Sequence, residues 1–161
     1  MITQENIKNL FIYDDGKLLW KSKPSKTSPI KLGLEAGTLM NDGYKRTHIY
    51  KKYYAIHRLV FLMHKGYLPK YIDHIDGDSL NNRIENLREA TASQNGQNKK
   101  LSKNNTSGVK GVYFSKANKW IAQLKINKEV AYLGCFDDIK LAENAVKEAR
   151  SKNHGEFSRH A

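Results

Sequence analysis

The stretch Tyr71-Ile72-Asp73-His74-Ile75-Asp76-Gly77-Asp78, followed by Asn81-Asn82 and by Asn86-Leu87-Arg88, decides how this chain reads. It sets a carboxylate beside an imidazole just before a tight turn, then supplies amide side chains at spacings able to fold back on that pair. A carboxylate, a neutral imidazole and an amide oxygen are what a hard cation and a general base need to hydrolyse a phosphodiester. Neighbours on an extended segment point to opposite sides unless the turn twists them. That suits a division of labour, with Asp73 on a metal and His74 facing an attacking water, its free pKa of about 6.5 close to the optimum for neutral-pH chemistry. Asp76-Gly77-Asp78 by itself is an ordinary tight turn. A calcium loop fails on register, since Gly77 as the invariant glycine would put Ile72, His74 and Arg83 at ligand positions.

Upstream, residues 55–65 (AIHRLVFLMHK) carry apolar side chains at 56, 59, 60 and 63, which predicts a helix stopped by Gly66 and packed under the Asp73-His74 segment. Downstream, Thr91-Ala92-Ser93-Gln94 matches a capping box and predicts a helix from Thr91 to about Leu101. Asn95 falls in its first turn and becomes a second metal ligand if the segment folds as strand, turn, strand, helix. A Mg²⁺-like ion takes oxygen ligands, keeps several waters and needs only one or two protein groups, so Asp73 with Asn95 suffices.

Further out, residues 1–56 read as β-rich. One hairpin is expected around Asp14-Asp15-Gly16 and another around Asn41-Asp42-Gly43, with a basic loop over 21–32. Beyond a basic linker at 101–105, three short strands are expected over 109–114, 119–126 and 129–136. A helix capped by Asp137-Asp138 then presents Leu141, Ala142, Ala145, Val146 and Ala149 on one face. The fold class is therefore α+β, with an N-terminal domain over 1–100 whose core, 55–100, carries the central constellation. The C-terminal module, 106–161, is a three-stranded antiparallel sheet packed on one helix. Trp120 is expected in its core, and Cys135, the single cysteine, is expected to be buried without a disulfide or a thiolate zinc cage.

Net charge of +12 favours a polyanionic partner. No apolar run approaches the ~20 residues of a membrane span and no signal-peptide pattern opens the chain, so nucleic acid is favoured over membrane. On the C-terminal strands Lys110, Tyr113, Lys116, Lys119, Gln123, Lys125 and Lys128 interleave basic and hydrogen-bonding groups, and Lys99 and Lys100 continue the basic character into the linker.

Taken together, His57-Arg58-Leu59-Val60, Asp73-His74-Ile75-Asp76-Gly77, Asn81-Asn82-Arg83, Asn86-Leu87-Arg88 and Ser93-Gln94-Asn95 resemble the HNH endonucleases, in particular phage and intron-encoded homing enzymes with asparagine in place of the last histidine. The resemblance implies a ββα-metal core in which Asp73 and Asn95 bind one Mg²⁺ or Mn²⁺ and His74 activates water. Asn86 braces the loop so that His74 is oriented, and Asn98 is the alternative to Asn95. Arg58, Arg83 and Arg88, which lie in those strings, are expected on the DNA. Ser107-Gly108-Val109-Lys110-Gly111-Val112, Lys119-Trp120-Ile121-Ala122, Tyr132-Leu133-Gly134-Cys135-Phe136 and Glu143-Asn144-Ala145 resemble the Apetala-type (ethylene-response-factor-like) DNA-binding domain, which implies a sheet laid in the major groove. The reading that follows is a monomeric, cytoplasmic, divalent-metal-dependent homing-type endonuclease that nicks one strand of double-stranded DNA. The alternative is a non-catalytic, sequence-specific DNA-binding regulator on a decayed nuclease fold.

Overall fold

A computed structural model describes residues 2–98, 101–102, 104–126 and 129–158. It divides into two units, Met1–Ala90 and Thr91–Ala161, so the division falls ahead of the Thr91-capped helix and not at the basic linker over 101–105.

In the first unit, α1 (Gln4–Leu10) is closed by a capping box between Thr3 and Asn6 and leads into β1 (Phe11–Asp14) and β2 (Lys17–Trp20). These strands pair antiparallel with Phe11 opposite Trp20, the hairpin expected from Asp14-Asp15-Gly16. α1 is a helix that the sequence reading passed over, because seven residues with only Ile7 and Leu10 buried carry almost no periodic signal. β3 (Thr38–Leu39) and β4 (Lys45–Ile49) form the second expected hairpin. β4 continues into an unexpected third strand, β5 (Lys52–Ala55), through a two-residue turn at Tyr50 and Lys51. Both turn residues have positive φ, 48° and 64°, a conformation usually signalled by Asn-Gly, and neither residue announces it.

The expected helix is α2 (Ile56–Lys65), ended by Gly66 at φ 81° with its N–H on the Leu62 carbonyl. Its buried face, Ile56, Leu59, Val60 and Phe61, joins Ile7, Leu10, Phe11, Leu18, Trp20, Ile49, Ile72 and Leu87 in one core. Residues 1–50 thus belong to the body that carries the central motif. That motif itself forms a hairpin, β6 (Tyr71–His74) against β7 (Leu87–Ala90), with a 3-10 turn at Ile84–Asn86 in the connection.

In the second unit, α3 (Ala92–Gln97) follows β7 directly in the chain and has the expected capping box. Thr91 Oγ1 accepts from Gln94 N–H at 3.2 Å, and Gln94 Oε1 accepts from Thr91 N–H at 2.8 Å. It stops at Gln97, short of the expected Leu101, with Gly96 weakening its last turn. β8 (Val112–Phe114), β9 (Trp120–Ile126) and β10 (Glu129–Phe136) form an antiparallel sheet in the order β10-β9-β8. The expected β9–β10 turn, at 127–128, lies outside the described residues. β8 starts later than the expected 109, because Gly108 and Gly111 adopt positive φ. A Cβ on Gly111 would meet the Gln123 carbonyl oxygen at 2.6 Å, so only glycine lets the chain pass there.

α4 (Ile139–His154) is capped by Asp138 and packs on this sheet. Val112, Ala122, Ala142 and Val146 form the core, with Trp120, Leu133, Phe136 and Ile139 packed against it, so Trp120 takes the core position expected of it. Two expectations are corrected. Leu141 is exposed, since the buried stripe runs through Ala142, Val146, Arg150 and His154, at every fourth residue. Cys135 is also exposed: it pairs with Ile121 across the strands, which sets it on the face away from Ala122 and the core. No described helix is long and apolar enough to cross a membrane.

Candidate active site

The β6–β7 hairpin carries the site. Strand pairing sets Asp73 opposite Arg88 and His74 opposite Leu87. Asp73 is 4 % exposed; its Oδ2 accepts from Arg88 Nε at 2.9 Å, and Arg88 Nη2 lies at ion-pair distance, also 2.9 Å, without a hydrogen-bond alignment. A charge-assisted bond from a guanidinium fixes a buried carboxylate in one orientation. Arg88 was expected on DNA. The structure commits its mostly buried head to Asp73, because the two residues are cross-strand partners.

His74 ends β6 and is 5 % exposed. Its Nε2 lies 3.1 Å from Asn82 Oδ1, and Asn82, itself buried, turns its Nδ2 to the Leu80 carbonyl at 3.3 Å. With the amide nitrogen spoken for, Asn82 presents its oxygen to the ring. The neutral imidazole therefore carries its hydrogen on Nε2 and its basic lone pair on Nδ1. On the other side His57, from α2, packs edge-on to His74 at 5.1 Å between ring centroids, and Tyr44 lies within 5.2 Å of His57 and 6.1 Å of His74. Burial, reinforced by the neighbouring charges of His74, Arg58 and Arg46, pushes the His57 pKa down to about 3. His57 is thus a neutral wall for His74 at physiological pH.

The loop between the strands is closed by Asn86. Its Nδ2 donates to Asp76 Oδ1 at 2.9 Å and to the Asn81 carbonyl at 2.8 Å, while its Oδ1 accepts from Asp76 N–H at 3.0 Å. Asn81 Nδ2 adds a bond to Asp76 Oδ2 at 2.7 Å. Burial raises the Asp76 pKa, but bonds from Asp78 N–H, Asn81 and Asn86, with the His74 charge, outweigh it and hold the carboxyl below its ordinary value. Gly77, at φ 64°, makes the turn and returns its N–H to the His74 carbonyl at 2.8 Å. The first two hairpins buttress this loop. Arg83 forks onto Asp15, Tyr13 Oη accepts from Ile84 N–H at 3.1 Å, and Ser79 Oγ donates to the Gly43 carbonyl at 2.7 Å.

Of the other arginines expected on DNA, Arg83 is exposed but paired with Asp15, and Arg58 donates to the Pro69 carbonyl at 3.0 Å, tying down the approach to β6. Asn95 and Asn98 lie in the second unit, Asn95 half-buried within α3 and Asn98 buried at its C-cap. In the same unit Tyr113, Lys116 and Lys125 are exposed and Gln123 is half-buried, whereas Lys119 pairs with Asp137 and Lys110 donates to the Gln97 carbonyl at 2.8 Å. Lys99, Lys100 and Lys128 lie outside the described residues.

Asn82 and His57 are the contacts of His74 to which sequence reasoning gave no role. Both stood inside quoted motif strings, but only burial and distance tell them from Asn81 or Arg58. Among the described residues no three histidine, cysteine or acidic side chains cluster to hold a metal. The donors on offer are one carboxylate and asparagine amides, a hard oxygen set that suits Mg²⁺ and not zinc. A carboxylate has about four lone-pair positions, so Asp73 can serve Arg88 and an ion together.

The HNH endonuclease family matches residues 54–97, the span from β5 through α3. The chain carries an HNH endonuclease domain. It is 34 % identical over 116 residues to Protein 3.8 of Escherichia phage T7, covering 68 % of this chain and 95 % of that protein, and it belongs to the same family. An HNH endonuclease of Acanthamoeba polyphaga mimivirus is 43 % identical over 60 residues, which is 35 % of this chain and 32 % of that protein. No solved structure matches significantly. His57, Asp73, His74, Asp76, Asn81, Asn82, Asn86 and Arg88 fall inside the HNH match, whereas Tyr44 and the buttressing Tyr13, Asp15 and Gly43 precede it.

Proposed function

We infer that this HNH protein is a divalent-metal-dependent DNA endonuclease that cuts one strand per encounter, with His74 as its general base. The observation that carries the reading is the buried His74, fixed through Nε2 by Asn82 and set beside the Arg88-bound carboxylate of Asp73. Asp73, with Asn95 or Asn98, would hold Mg²⁺ or Mn²⁺, and that ion supplies charge stabilisation at the scissile phosphate and the leaving oxygen. His74 Nδ1 takes the proton of the attacking water, and Asn82 stabilises the resulting imidazolium by accepting from Nε2–H. Arg88 keeps Asp73 aimed. Asn86 holds the loop closed behind the base. His57, neutral beside it, confines the ring without competing for the proton.

The second unit, a three-stranded sheet on one helix, is the DNA-holding module in this reading, as its resemblance to the Apetala-type domain implies. Tyr113, Gln123 and Lys125 alternate away from the core, with Tyr132 paired to Gln123. One base and one ion address one phosphodiester, which is why nicking is expected of a monomer. A homing-type role, in a phage-infected host cell, fits the resemblance of the motif. Supercoiled plasmid incubated with Mg²⁺ should pass to open circle before any linear form, and EDTA or His74→Ala should stop it. Direct conversion to linear product at low enzyme concentration would sink the one-strand mechanism, and cleavage in EDTA the metal dependence.

A further inference from the structure

The second unit buries a cation that no described carboxylate neutralises. Arg150 on α4 is 2 % exposed; its Nη2 donates to the Lys110 carbonyl at 2.8 Å, but Nε has no hydrogen-bond partner among the described residues. Among the described side chains, which do not include that of Glu156, no carboxylate lies within salt-bridge reach of it. One turn later His154, 8 % exposed, has Nε2 3.3 Å from the Lys125 carbonyl oxygen and, among the described residues, no partner at Nδ1. Arg150 and His154 line a cavity of about 590 Å³ together with Lys110 and Lys125, and α3 contributes Ser93 and Gln97. None of the described lining residues is acidic.

A buried guanidinium without a carboxylate is costly, and its partner is then sought outside the chain. The ligand that suits these donors is a tetrahedral oxyanion. Guanidinium N–H groups match phosphate oxygens in pairs, two lysines add point charges, and the Ser93 hydroxyl and Gln97 amide extend the donor set. The volume accommodates a phosphate with its bridging waters, and every charged lining residue is basic, which favours an anion. We propose that the cavity bounded by Lys110, Lys125, Arg150 and His154 is a phosphate-binding site. This site is independent of the cleavage reading, and its test involves no cleavage. Its occupant is a phosphate group, either from a nucleic-acid backbone or free.

The experiment is an NMR titration of the full chain with inorganic phosphate, following the arginine Nε–H signals at constant ionic strength with chloride as control. The Arg150 signal should shift and saturate with phosphate alone, and phosphate should raise the melting temperature. Lys125→Gln, at an exposed position on β9, should weaken phosphate binding about tenfold through loss of one charge-assisted contact while leaving the melting temperature in chloride unchanged. Arg150→Met should abolish the phosphate-dependent rise in melting temperature. Should that variant melt too low to titrate, the wild-type signal and Lys125→Gln decide. An Arg150 signal that responds equally to chloride and phosphate, or an unchanged affinity in Lys125→Gln, overturns the site. Duplex oligonucleotide added to the phosphate-bound protein identifies the source: displacement of the phosphate means a backbone phosphate occupies the site, and simultaneous binding means free phosphate does.

Discussion

The two units treat buried charge in opposite ways. In the first, Asp73 is matched by Arg88, and the Asp76 loop has its carboxylate bonded by Asn81 and Asn86, so the chain satisfies itself and fixes its groups in place. In the second, Arg150 lies equally deep with no carboxylate among the described residues to match it. A self-contained network is what a catalytic base needs, because orientation must exist before substrate arrives. An incomplete one is what a binding surface needs, because the missing half comes with the ligand.

The comparison breaks most visibly at His74. His74→Ala should lower plasmid nicking about a thousandfold while leaving DNA affinity by gel shift intact; equal losses in both would make His74 a DNA contact and not a base. Next comes the contrast between the two arginines. Arg88→Ala should cost about 3 kcal/mol in chemical denaturation, since it strands the buried Asp73 carboxylate. Arg150→Met should cost less than about 1 kcal/mol, because it also removes an unmatched buried cation. Similar costs would erase the distinction drawn above.

Acid sharpens it further. His57 has a pKa of about 3 in the folded chain against 6.5 as its ordinary value, so on acidification the unfolded chain takes up the proton first. The stability contributed by neutral His57 is complete above 6.5 and is lost progressively from there down to about 3. Melting curves of His57→Gln should show a shallower decline over that window, and an identical decline would assign it elsewhere. Asn86→Ala should cost about 1–2 kcal/mol and speed amide exchange at Asp76, whose N–H it now holds. The smallest effect is expected from Lys116→Gln on the second unit, a reduction of about one in the salt slope of DNA binding with nicking at saturating DNA unchanged.

Much of this was legible before any coordinates. Hairpins with Asp-Gly turns, a helix with apolar residues at 56, 59, 60 and 63, and a Thr91-Gln94 capping box each carry a local signal, and each formed where expected. The misses share a cause. β5 hangs on a turn whose residues, Tyr50 and Lys51, reach positive φ only because the flanking strands hold them there. Arg88 looked like a DNA contact because sequence shows its charge but not its partner fifteen residues upstream. Cys135 and Leu141 followed their usual preferences on paper, and register and helix phase placed them outward instead. For the site, residue types were readable. The identity of the amide that touches His74, Asn82 and not Asn86, required geometry.

The pairing of Asp73 with Arg88 and of His74 with Leu87 has a consequence for how the loop can vary. Side chains alternate along a strand, so sliding β6 by one position against β7 would exchange inward and outward residues and move the arginine off the acid. The knot of Asp76, Asn81 and Asn86 acts as the stop that prevents this slide. A single residue inserted between Asp76 and Asn81 should silence the enzyme without unfolding it, because the bonds that set the register are lost.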